Sequence, residues 1–467
     1  MRAFPCILVL AALSGCSFTV ARPGAFHECN VDQDCPDAKA CVDNYCVGTR
    51  VPDGCGQLVG ETPTEDTLHL GAILPLTYAE DGGTLDDPKE NARLNAIQLA
   101  LEEINMRKVS GRPVVLHVCD SHRSAQEAAD QAAWMVKDTP SVAILTAGSS
   151  QTLAVADVAV PAGIVTLSFS ATSPEISSLP ATLNGSSRLV WRTSPSDAIQ
   201  GRVMAGLVKG EARYGGVQKV GVLYLNDTYG QGLKDEFLGQ VQLPLQAKGV
   251  QYERGGDVTT AMQALNAYDP DLTVVIAFPD DAVKMLKQVA SLPNLQRSAG
   301  HQWLFSDSAK SASLLTGLTA GERAEVEGSY GTVPAQGAGR AYQSFEEAYV
   351  ARFSGQNPSQ YSFTAHAYDA AYCASLAMSA AIRDGTGLVT GATTAAGMTR
   401  LSKGTAFELR ASQFLPATQQ LAAGNTVDVD GASGALDFDP QKGEAPGKIQ
   451  VWSISGTSFT EVRVVDP

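Results

Sequence analysis

LHLGAIL at residues 68–74, followed after a polar interval by ENARLNAIQLALEEINM at 90–106, decides the fold. The first stretch is an apolar run of strand length, and the second places Leu94, Ile97, Leu101 and Ile104 on one face at helical spacing. Strand is followed by helix, and the alternation continues. Val114 to Val118 reads as a strand, Ser124 to Lys137 as a helix, and Val142 to Leu145 and Ile164 to Ser168 as strands. The rhythm restarts near Asp197 with a helix to about Ala212. Strand Lys219 to Tyr224, helix Tyr229 to Gln246, strand Leu272 to Ala277, helix Asp281 to Ser291 and strand Trp303 to Phe305 follow. Alternating strands and helices imply a parallel sheet covered on both faces, and two successive runs imply two lobes with separate cores. The predicted fold class is α/β, with two Rossmann-like parallel-sheet lobes. Helices at Arg340 to Phe353 and Ala365 to Ile382 lack interleaved strands and are expected to complete an earlier sheet.

N-terminal to this region the chain has a different character. Arg2 and the short apolar run Ile7 to Leu13 form an export signal over residues 1–15, too short to span a bilayer. The run ends in Leu13-Ser14-Gly15-Cys16, which resembles a bacterial lipobox with lipid on the Cys16 thiol; ordinary cleavage nearby is the alternative. Ser17 after that cysteine resembles the pattern sorted to the outer membrane of diderm bacteria. Five of nine cysteines then crowd between residues 29 and 55. An exported segment this short and poor in large apolar residues needs covalent bracing. Cys29, Cys35, Cys41 and Cys46 could form two disulfides in any of three connectivities. A zinc knuckle is the rival, but C-x2-C pairs are absent and only His27 lies near. Setting aside Cys6 and Cys16, seven cysteines remain, including Cys119 and Cys373, so at least one is free or pairs with another chain. Val47 to Thr67 is rich in Gly, Pro, Thr and acidic residues and reads as a linker, making residues 16–66 a tether.

Charge and motifs narrow the function. The net charge of −15 is spread along the chain, which lacks the concentrated basic face that nucleic-acid binding needs. None of the six histidines has H-E-x-x-H spacing or an obvious nucleophile beside it. Gly230-Gln231-Gly232 lacks the third glycine of a dinucleotide site. No catalytic residue, metal site or cofactor is therefore assigned, and a binding protein is expected rather than an enzyme.

In parallel sheets, ligands bind beyond the carboxyl ends of the strands. Gly148-Ser149-Ser150-Gln151-Thr152 there offers hydroxyls and N–H donors to a carboxylate, or simply caps a helix. Ser170-Ala171-Thr172-Ser173-Pro174 offers a second such cluster, or a mere turn. In the second lobe, Asp227 could cap a helix and expose Tyr229 to the cleft, or leave it packed on its own lobe. Asp307, just past a strand, could meet a ligand ammonium or be a solvated loop residue.

Together with Gly71-Ala72-Ile73-Leu74-Pro75-Leu76-Thr77, Ala100-Leu101-Glu102-Glu103-Ile104-Asn105, Arg192-Thr193-Ser194-Pro195-Ser196-Asp197, Tyr229-Gly230-Gln231-Gly232 and Gly434-Ala435-Leu436-Asp437-Phe438-Asp439, these loops have an order and spacing that resemble a known family. It is the branched-chain amino acid type, or type I, of periplasmic substrate-binding proteins of ABC transporters, and the resemblance covers Leu68 to Val465. It implies three crossovers forming a hinge, near Trp191 to Pro195, Gly328 to Pro334 and Asn425 to Gly431. Lobe one would comprise 67–192 with 330–425, and lobe two 196–328 with 428–467. It further implies that Ser149 or Ser150, Ser170 and Thr172 hold a ligand carboxylate, that Tyr229 closes from lobe two, and that Asp307 meets the ammonium. Tyr78 would replace an aromatic side chain that the family usually contributes. The implied function is capture of a small polar ligand, an amino acid or relative, by a lipid-anchored protein of the cell envelope, with an ABC permease as partner. The alternative is a ligand sensor or envelope scaffold on the same fold, without transport.

Overall fold

The computed structural model describes residues 29–466 apart from 36–39, 43–44, 48–50, 81, 184, 186, 242–244 and 383–387. The export signal expected at 1–15, the lipidation expected at Cys16, Ser17, His27 and the Cys46 side chain lie outside the described residues. The chain divides into two units, 1–51 and 52–467. In the first, β1 (Ala40–Val42) and β2 (Tyr45–Val47) form an antiparallel hairpin. A disulfide joins Cys29 to Cys41, and Cys35 is also disulfide-bonded. Disulfide bonding, one of the two sequence alternatives, is thus realised at Cys29, Cys35 and Cys41.

The second unit starts with β3 (Cys55–Val59), β4 (Leu68–Leu74) and a hairpin of β5 (Thr77–Glu80) and β6 (Gly83–Asp86). Then come β7 (Val114–Asp120), β8 (Ala143–Thr146), β9 (Val165–Ser168) and β10 (Val190–Arg192). The first sheet runs β10-β9-β8-β4-β7-β3, parallel except for β3 at its edge. All of β4 but His69 is buried, which explains why it reads as a continuous apolar run. Gly71 lies at its centre because a Cβ there would meet Met135 Sδ at 2.6 Å. The predicted stripe Leu94, Ile97, Leu101, Ile104 of helix Pro88–Asn105 is buried against this sheet. Helix Thr364–Ile382 is buried on nearly every side and packs in the same core, so the expected completing helices cover the first sheet.

The second sheet contains β11 (Lys219–Leu225), β12 (Gln246–Tyr252), β13 (Leu272–Ile276), β14 (Gln302–Phe305) and β15 (Tyr330–Pro334). A small sheet of β16 (Thr405–Glu408), β17 (Val427–Gly431) and β18 (Gly434–Ala435) comes next in the chain, before β19 (Ile449–Ser455) and β20 (Ser458–Val465). The order is β12-β11-β13-β14-β15-β19-β20, with the last two strands antiparallel.

Three sequence expectations change. The stretch read as linker contains β3, which pairs with β7 and is bonded to it through Cys55–Cys119. Its exposed centre hides the strand signal. Helix Thr228–Gln240 ends earlier than expected, and Gln246, expected as its end, begins edge strand β12, whose first four residues are exposed. The third crossing falls later than residues 425–431. Val427, Val429, Ala432, Leu436, Phe438 and Ala445 all pack in the first core, and the chain reaches the second sheet at Ile449. Arg192 of the first crossing pairs with Glu444 beside the third. Cys373 is free and buried, the unpaired thiol that the odd count required.

Candidate functional site

The carboxyl ends of both sheets face one cavity. After β8, Gly148 takes a left-handed φ of 76° and turns the chain into helix Ser149–Ala159. Its N–H donates to Ser170 Oγ at 3.1 Å, and the Ser173 N–H donates to Ser149 Oγ at 3.2 Å, so the two serine loops brace one another. Opposite them, Asp227 caps helix Thr228–Gln240 by accepting from the Gly230 N–H at 2.8 Å. The Tyr229 hydroxyl donates to Asp307 Oδ1 at 2.6 Å, and Gln200 Nε2 donates to the same oxygen at 3.0 Å.

Ser149, Ser170, Tyr229 and Asp307 all line this cavity. Ser150 lies at its rim, where its hydroxyl donates across the cleft to Asp227 Oδ2 at 3.3 Å. Thr172 does not line it; it is buried behind the wall beside the Asp197 carboxyl. Tyr78 is in an adjacent groove, with the Arg123 guanidinium 3.6 Å from its ring centroid. Asp307 is 2% exposed, and burial raises its carboxyl pKa. Beside it, burial first and the Asp307 charge second push Asp197 well above the usual carboxylate range.

Sequence reasoning missed six of the fifteen lining residues. Lys89, Glu90 and Arg93 enter from the first turns of helix Pro88–Asn105, Phe363 from the chain before helix Thr364–Ile382, and Arg254 and Phe278 from loops of the second sheet. The signal was present. Glu90 and Arg93 precede Ile97 and Leu101 at helical spacing, so they continue the apolar stripe with charge.

Arg93 is satisfied, donating to Glu90 Oε1 at 2.5 Å and to the Ser362 carbonyl at 3.0 Å. Glu90 Oε2 is buried with no partner among the described residues. Lys89 Nζ lies 4.4 Å from the Phe278 ring centroid, and its ionic partner is Glu90 at 3.8 Å. At the rim, Arg123 donates to Asp87 and to Asp280, both at 2.8 Å, and so ties one lobe to the other. Burial alone would raise the Asp280 carboxyl, but the Arg123 and Arg254 charges bring it below the usual range. The free cavity is about 30 Å³, room for about one water. The lobes are therefore in a closed arrangement.

Two α/β lobes closing on a polar cavity define a solute-binding architecture that works by hinge closure. The chain belongs to the periplasmic binding protein family, whose pattern it matches over residues 67–456; this is a family of extracytoplasmic solute binders rather than enzymes. It is 27% identical over 374 residues, 79% of this chain and 83% of the relative, to the chemotactic signal transduction system substrate-binding protein BasB of Halobacterium salinarum. The fold is shared with the leucine-binding protein LivK of Thermotoga maritima, at a TM-score of 0.68 and 21% identity over 86% of this chain and 99% of that one. It is shared equally with the branched-chain amino acid binding protein LivJ of Streptococcus pneumoniae, solved with isoleucine, at a TM-score of 0.66 and 18% identity over 86% and 100%.

Proposed function

We propose that this chain is a lipid-anchored binding protein that captures an amino acid or close relative between its lobes and presents the closed form to an ABC permease. The observation that carries the reading is the pairing of opposite chemistries in one cavity. Ser149 at a helix N-terminus, with Ser170 beside it on the neighbouring loop, is suited to a carboxylate, and the unpartnered Glu90 Oε2 offers an acceptor to an ammonium. Glu90 suits that role better than Asp307, whose Oδ1 already accepts two hydrogen bonds. A zwitterion loses its water on entry and regains hydrogen bonds only when both lobes surround it, which couples binding to closure.

A second reading, a ligand sensor, draws support from the likeness to a chemotactic substrate-binding protein. Both readings require a bound solute. Titration calorimetry over the common amino acids, with small-angle scattering, should find a ligand that shrinks the radius of gyration. If nothing binds and the radius stays fixed, the scaffold alternative replaces both. In the producing cells, Cys16→Ala should move the protein out of the membrane fraction; unchanged membrane association would remove the lipid anchor.

A further inference from the structure

Two cations in the cleft lack the partners that burial demands. Lys89 is 2% exposed, yet its ammonium donates no hydrogen bond to any described residue, and its nearest carboxylate oxygen is Glu90 Oε1 at 3.8 Å. That oxygen is already held by Arg93 at 2.5 Å. Arg254 makes no hydrogen bond or contact ion pair among the described residues, its Nε is buried without a partner, and the Asp280, Asp87 and Asp281 charges act on it only from a distance. Its guanidinium lies 3.6 Å from the centroid of Phe278, the same ring that Lys89 approaches. Both side chains line the cavity, one from each lobe. A cation over an aromatic face gains some attraction, but the ring accepts few of the eight N–H bonds that an ammonium and a guanidinium can donate. Donors held out of water without acceptors are costly, and charge-assisted bonds to a carboxylate are among the strongest that could satisfy them.

Within the binding-protein reading above, on which this step rests, we infer that Lys89 and Arg254 form a subsite for a second carboxylate, so that the ligand is an acidic amino acid. The main-chain carboxylate faces Ser149 and Ser170, the ammonium faces Glu90, and the side-chain carboxylate lies against Lys89 and Arg254 beside Phe278. Because the two cations come from opposite lobes, the second carboxylate also bridges the cleft. A neutral side chain would leave both cations unsatisfied and close the lobes less well.

The test uses isosteric acid and amide pairs on the full chain, with glutamate against glutamine and aspartate against asparagine in calorimetry, and leucine as an apolar reference. One acid should bind roughly tenfold to a hundredfold more tightly than its amide. Lys89→Met and Arg254→Gln should each collapse that ratio toward one, while Lys89→Arg, which keeps the charge, should preserve most of it. Thermal unfolding without ligand checks that each variant is folded, and the wild-type ratio stands whether or not a variant folds. Equal binding of acid and amide, or leucine binding more tightly than both acids, overturns the subsite and leaves the binding-protein reading intact. No binding by any of the five overturns the subsite, and the wider amino-acid panel then decides the binding-protein reading separately.

Discussion

The rim and the interior of the cleft treat the same kind of residue in opposite ways. Arg123 at the rim is held by two carboxylates, Asp87 on one side and Asp280 on the other, and only its Nε is buried without a partner. Arg254, which reaches from the groove beside Arg123 into the cavity, has an aromatic ring and no hydrogen-bond acceptor among the described residues. A buried cation already paired with carboxylates from both lobes holds the structure together, because it leaves little for a ligand to satisfy. A buried cation with unused donors stores a demand that only a ligand meets. Bond satisfaction, rather than charge, separates the latch from the recognition surface.

The strongest way to break this contrast is to remove the latch. Arg123→Ala leaves the carboxylates of Asp87 and Asp280 facing one another in a poorly solvated rim, and should cost about 3–5 kcal/mol in urea unfolding. A loss under about 1 kcal/mol would mean that water replaces the arginine and that the rim is not a structural pair. Tyr229→Phe sharpens the contrast from inside the cleft, since its hydroxyl is already committed to Asp307. It should cost about 1–3 kcal/mol of stability and leave the preference of acid over amide in place. A collapse of that preference would move Tyr229 from the satisfied group to the recognition group.

The smallest effect is on pH. Burial first, and then the Arg93 charge, hold the Lys89 ammonium down at about 8. The preference for acidic ligands should be full below that value and fade as pH rises through it, read as the acid-to-amide ratio at about pH 7 and about pH 9. The ligand-free protein should change in the opposite direction. Between about 8 and the ordinary lysine value of 10.5 the unfolded chain binds more protons than the folded one, so this lysine's contribution to stability rises with pH. A ratio that stays flat across the range would show that Lys89 does not face the ligand.

The sequence made the core of the fold legible where burial is two-sided and the apolar run is continuous, as in Leu68–Leu74 and Leu272–Ile276. It failed at the edges. Strands Cys55–Val59 and Gln246–Tyr252 expose most of their side chains, so composition there resembles a loop. The serine loops could be found because a hydroxyl-rich turn after a strand is a local pattern. Glu90 carried only the helical-spacing signal, and Lys89 carried none, since the acidic stretch around them reads as solvated and only the packing of helix Thr364–Ile382 and the second lobe buries them. Arg254 has no local signal at all. It follows an edge strand that was itself missed.

A closed cavity of about 30 Å³ has a kinetic corollary. No solute larger than a water enters such a space, so capture proceeds through whatever fraction of time the lobes spend apart. The binding rate should therefore level off at high solute concentration, at the frequency of opening, as stopped-flow mixing would show. The Arg123–Asp280 contact that must part each time is one of the clocks that set it.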